Sequence, residues 1–211
     1  MTILDGCIHH ELNLLEASAK SANLIYKVIM NTSTQNARYT TVAILLHWLI
    51  GLAILAQLAL GLWMVELPKT PPGLRSGWFN IHKSIGLTIA VLIVIRVLWR
   101  VTHQAPALPS GMPAWQVKLT TGVHHLLYLL MVFVPTTGIL GSVFSKYPIK
   151  YFGIDLPRLA EPDAGLKEFF GECHEISTTI IMVLIGLHIL AALKHRFIDK
   201  DDIFQRMSVK R

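Results

Sequence analysis

The chain is poor in charge, in cysteine and in acidic residues away from segment ends. Only 15% of its 211 residues are Asp, Glu, Lys or Arg, against 53% hydrophobic, and mean hydropathy is +0.51. A soluble domain carries about 25% charged residues, so that class is excluded. The two cysteines, Cys7 and Cys173, lie far apart and can form one disulfide at most, which rules out a disulfide framework. No Asp or Glu lies deep in an apolar segment, and we see no inverted repeat, which argues against a metal or proton transporter. No aromatic–basic RNA motif is present. The net charge of +6 sits mainly at segment ends, a pattern that suits anionic lipid and topology control better than nucleic acid. The acidic start and broken apolar run of the first residues do not make a signal peptide.

What the chain does have is long apolar runs. Residues 39–65 and 119–145 carry no charge, and each exceeds the ~20 residues needed to cross a bilayer core. The expected fold is all-α: an integral membrane four-helix bundle over residues 37–207. Its spans are expected at about 41–65, 80–101, 116–144 and 170–197. The second has the shortest uncharged centre, residues 84–95. Loop 66–79 holds Pro68, Pro71, Pro72 and Gly73 and is expected to be non-helical. Pro135 should kink the third span. Residues 1–36 form an extension of uncertain structure, with weak amphipathic character over Leu12 to Met30. Cys7, His9 and His10 there read as a solvated tail, and Met30 is an alternative start. Residues 208–211 are a C-terminal tail.

Six Lys or Arg from Lys194 onward, with Arg96, Arg100 and Lys118 around the second loop, place both termini in the cytoplasm by the positive-inside rule.

Seven of the ten histidines fall inside the expected spans, several at informative spacings. His174 and His188 are fourteen residues apart, about 40° short of four full turns, so both project from nearly one helix face roughly 21 Å apart. His195 follows seven residues later, at the rim. With alternating span directions the histidines form two layers. His82 and His174 lie in the outer layer; His47, His188 and His124 lie in the inner one. Histidine inside a span is costly and marks function. Facing imidazoles on separate helices can ligate haem iron from both sides, and without a C-x-x-C-H that haem is non-covalent. Gly61, fourteen residues after His47, reaches the outer layer on the same face, where a small residue admits a macrocycle. Gly86 lies one turn after His82. Arg96, fourteen after His82, reaches the inner layer, where a guanidinium pairs a haem propionate. Gly61 and Gly86 read equally well as helix-packing glycines, and Arg96 as a snorkelling residue. His124 and His125 are about 100° apart, so only one faces inward. His103 reads as a surface residue and Cys173 as a packing residue.

These residues resemble the bacterial cytochrome b561 family. The matching stretches are His47-Trp48-Leu49, Leu62-Trp63-Met64-Val65, Ile81-His82-Lys83-Ser84-Ile85-Gly86 and Ile95-Arg96-Val97-Leu98-Trp99-Arg100. Further matches are His124 with Tyr128-Leu129-Leu130, Gly186-Leu187-His188, and the run Leu193 to Asp202. Residues 1–36 have no counterpart. The resemblance implies two non-covalent haem b groups, one held by His47 with His188 and the other by His82 with His174, in a multi-pass bacterial inner-membrane protein. It also implies electron exchange with membrane quinone. Similar members include a superoxide oxidase that reduces ubiquinone, and His195 matches a position in the family's quinone site.

The expected function is electron transfer from a small outer-face donor, with superoxide as one candidate, to quinone. His195 would supply protons and His124 is a second candidate; Lys69, Arg75 and Lys83 would attract an anionic donor. The alternative is a cytochrome b subunit that anchors a separate dehydrogenase or hydrogenase to the quinone pool.

Overall fold

The computed structural model describes residues 16, 18–27, 38–70, 73–108 and 111–208. Cys7, His9, His10 and Met30 lie outside the described residues. Four long helices follow one another: α1 (Thr41–Glu66), α2 (Leu74–Thr102), α3 (Ala114–Val143) and α4 (Ala164–Lys194). Their lengths of 26 to 31 residues correspond to about 39–47 Å, longer than the ~30 Å hydrocarbon core. All four are apolar enough to cross a membrane. Residues 18–27 are helical and exposed.

Helix starts follow local chemistry. Thr40 caps α1 by accepting the Ala43 N–H at 3.2 Å, and Asp163 caps α4 by accepting the Leu166 N–H at 2.9 Å. Two starts precede the expected spans by six residues. Helix α2 begins at Leu74 rather than Asn80, inside the expected non-helical loop 66–79. Gly73 takes a left-handed φ of +100° just after Pro71 and Pro72 in sequence, and the helix that follows runs through Gly77. Helix α4 begins six residues before the expected span, because hydropathy marks the lipid-crossing part of a helix and Asp163 marks its true start. Helix α3 runs unbroken through Pro135. The third loop carries a small hairpin, β1 (Lys150–Tyr151) against β2 (Ile154–Asp155), turned by Phe152 and Gly153 at φ +47° and +94°.

Helix α1 packs on α2, α2 on α3 and α3 on α4. The dry core is small: Ile50, Ile89 and Ile93, with Leu46, Ala53, Ile85 and Met131 around them. It joins α1 to α2. The backbones of α1 and α4 make no comparably extensive approach, so the interior between them is bridged by side chains. Large apolar residues face outward on every helix, such as Leu52, Val91, Leu129 and Leu190, each 60–63% exposed. A belt of that extent is stable only against lipid.

One end of the bundle is laced by the segment after α4. Arg38 donates to the Gln205 and Ser208 carbonyls, Trp48 Nε1 to the Met207 carbonyl at 2.8 Å, and Arg206 to the Ala107 carbonyl. The start of α1 therefore shares this tail end with the chain's last described residues. The hairpin lies at the other end, where Ser84 Oγ accepts the Phe152 N–H at 2.9 Å.

Candidate haem-binding and quinone sites

The structure brings four histidines into two pairs. At the hairpin end the rings of His82 on α2 and His174 on α4 have centroids 6.4 Å apart at 86°. At the tail end the rings of His47 on α1 and His188 on α4 are 6.2 Å apart at 73°. Helix α4 supplies one member of each pair, as the fourteen-residue spacing requires.

These separations can be tested against a haem iron. Two imidazole nitrogens bonded to one iron at about 2 Å, each with its ring centre ~1.1 Å behind it, put the centroids roughly 6.2 Å apart. Both pairs match. The surroundings of the hairpin-end pair agree. His174 Nδ1 donates to the Val134 carbonyl at 2.9 Å, which fixes its proton on Nδ1 and leaves Nε2 with its lone pair for a metal. That carbonyl also accepts from Thr137 Oγ1 at 2.8 Å. The buried Nδ1 of His82 has no hydrogen-bond partner among the described residues.

Small residues keep this site open. A Cβ on Gly61 would lie 3.4 Å from His82 Cε1, and one on Gly138 only 3.0 Å from His174 Cε1. Thr137 and Ser177 are buried beside His174 and turn their hydroxyls back onto helix carbonyls. Gly86 faces the Gln57 amide at 3.4 Å rather than an imidazole. Gln57 Nε2 donates to the His82 carbonyl at 2.6 Å, while its Oε1 is buried without a partner among the described residues. Gly138 and Gln57 were not among the expected site residues. A glycine and a lone amide inside uncharged spans were the available signals, but only the packing shows what each faces.

At the tail end Arg96 Nη2 donates to His47 Nδ1 at 3.2 Å, and its guanidinium sits 5.7 Å from the Tyr128 ring centre. In this arrangement the proton of a neutral His47 ring is on Nε2. Ligation through Nε2 needs the other tautomer, so Arg96 must release His47 when a metal binds there. His124 donates its Nδ1–H to the Thr120 carbonyl at 2.7 Å, and its exposed ring lies 5.5 Å from that of His188. His125 is exposed, and His103 stacks on Trp99 at 3.9 Å. His195 lies beyond the end of α4, where its Nδ1 is 2.6 Å from Asp201 Oδ2.

Residues 38–209 match the family model described as prokaryotic cytochrome b561. The chain belongs to the prokaryotic cytochrome b561 family. It is 36% identical over 184 residues to cytochrome b561 homolog 2 of Escherichia coli, covering 84% of this chain and 95% of that one. It is 28% identical over 176 residues to a protein of Yersinia pestis named probable superoxide oxidase CybB, covering 82% and 97%. Cytochrome b561 homolog 1 of Escherichia coli is 27% identical over 177 residues. Family membership makes this a multi-pass bacterial membrane cytochrome and implies b-type haem. The four-helix membrane bundle expected from the sequence is the fold observed.

Proposed function

We propose that this cytochrome b561 holds two haem b groups and carries electrons from a small donor outside the cell membrane to quinone at its inner face. The observation that carries the reading is the two imidazole pairs, one at each end of the bundle, at the same iron-compatible separation. His82 and His174 hold the outer haem; His47 and His188 hold the inner one. Haem supplies one-electron chemistry when bound. Two imidazoles per iron leave no open coordination position, so the chain's task is to position and tune rather than to bind substrate at the metal.

Gly61 makes room at the outer site. Arg96, once released from His47, is placed to pair with a haem carboxylate at the inner site. Excess Lys and Arg at the tail end support both termini being cytoplasmic. His195, whose side chain is 15% exposed, is the proton donor for ubiquinone, with His124 as a second proton-handling group. Lys69, Arg75 and Lys83, around the start of α2 at the opposite end, favour an anionic donor. Superoxide is the donor we assign, on the name of the Yersinia pestis relative.

A dithionite-minus-oxidised spectrum with a pyridine haemochrome assay tests the first half. Two haem b per chain are expected, and one per chain would overturn the di-haem reading. Ubiquinone reduction by the purified protein under a superoxide flux tests the second half. An unchanged rate on adding protein would remove superoxide as donor.

A further inference from the structure

We infer that Asp201 is a positioning residue for His195, holding its imidazole with the proton on Nδ1 so that Nε2 alone handles the protons of quinone reduction. This rests on the reading of His195 as the quinone's proton donor and extends it to a residue with no role so far.

The chain builds the contact deliberately from backbone geometry. After α4, residues His195–Asp199 form a π-helical turn. Lys200 then takes a left-handed φ of +54°. The N–H groups of Lys200 and Asp201 both return to the His195 carbonyl, the second at 3.2 Å. This tight reversal sets the Asp201 side chain beside the ring six residues earlier. Asp201 Oδ2 lies 2.6 Å from His195 Nδ1, and its Oδ1 accepts the Ile203 N–H at 3.0 Å. Both carboxylate oxygens are thus engaged, and the group cannot rotate without losing a bond.

A second carboxylate competes and loses. Asp199 Oδ2 is 3.3 Å from the same Nδ1, but Lys194 Nζ holds both Asp199 oxygens at 2.8 and 2.6 Å. The shorter contact, to the carboxylate that has no lysine partner in these bonds, decides where the Nδ1–H points. A charge-assisted hydrogen bond of this length is among the stronger ones. With Nδ1–H committed, Nε2 is the nitrogen left for substrate.

The proton step balances as follows. The imidazolium gives its Nε2 proton to a quinone oxygen: the N–H bond breaks and an O–H bond forms. The ring is left neutral, with Nδ1–H still on Asp201, and takes its next proton at Nε2 from water at the inner rim. Two such transfers, with two electrons that bound b-type haem would supply one at a time, would convert quinone to quinol. Asp201 keeps accepting the Nδ1–H throughout and so holds the ring in place for each transfer.

The test uses the full haem-loaded chain with nitrogen-15 labelled histidine. The resonance missing from His195→Gln identifies His195 in the wild-type spectrum. It is expected as the Nδ1–H tautomer; an Nε2–H tautomer would overturn the proposal without any Asp201 variant needing to fold. In parallel, reduced protein is mixed with decylubiquinone and reoxidation is followed in the Soret band. Asp201→Asn is expected to slow the limiting rate about tenfold or more, with half-saturation by quinone changed less than about twofold. Asp201→Glu should recover most of that loss, and Asp199→Asn should cost less than about twofold. If His195→Gln is slow and Asp201→Asn runs at the wild-type rate, the role of Asp201 is wrong while that of His195 stands. If His195→Gln also runs at the wild-type rate, the reading beneath the proposal fails with it.

Discussion

Gly138 stands against the ring of His174 so closely that a Cβ there would lie 3.0 Å from Cε1 and 3.1 Å from Nδ1. The residue is on α3 and the imidazole on α4, so the glycine is what lets the two helices meet around that ring. Gly138→Val should displace His174 from its bond to the Val134 carbonyl and empty the outer site. Pyridine haemochrome assays should fall from about two haems per chain to about one.

The inner site offers His188 two neighbours, His47 at 6.2 Å and His124 at 5.5 Å. Only the first separation matches two nitrogens on one iron. His47→Ala should therefore lose one haem per chain while His124→Ala keeps two. The reverse pattern would reassign the ligand. The readout is haem stoichiometry with low-temperature EPR, in which a lost bis-imidazole centre removes one low-spin signal.

Arg96 brings a positive charge to the inner site, where, released from His47, it is placed to pair with a haem carboxylate. A cation nearby favours the state with the extra electron. Arg96→Leu should lower the midpoint potential of the inner haem, by on the order of tens of millivolts. Arg96→Lys should lie between. Redox titration of the two b-band components checks this, and a fall confined to the outer component would contradict the assignment.

Ser84 is 1% exposed, and its Oγ accepts the Phe152 N–H while lying 3.1 Å from the Lys150 carbonyl. It pegs the hairpin to α2, beside a second contact in which Thr88 Oγ1 lies 3.2 Å from Tyr151 Oη. Ser84→Ala removes the partner of a hairpin amide at a cost of about 1–3 kcal/mol. Hydrogen exchange should rise at residues 150–155, with haem content unchanged. Exchange at wild-type rates would show that the hairpin is held by other contacts.

Much of this protein is determined by its sequence alone. Uncharged runs longer than a bilayer is thick force membrane helices, because lipid offers no partner to a free backbone amide. The 3.6-residue repeat puts His174 and His188 on one face of α4, and no neighbour is needed to know it. Other features depend on chain segments far apart and were decided only in the tertiary structure. Ring separations, and so which of His47 and His124 matches an iron at His188, depend on how α1, α3 and α4 pack. Gly138 acquires meaning only when a ring from another helix lies against it. Helix starts at Leu74 and Ala164 come from a left-handed glycine and a capping carboxylate, which hydropathy does not register. The contact between Asp201 and His195 needs a left-handed Lys200, a backbone choice that lysine rarely makes and that the surrounding turn imposes.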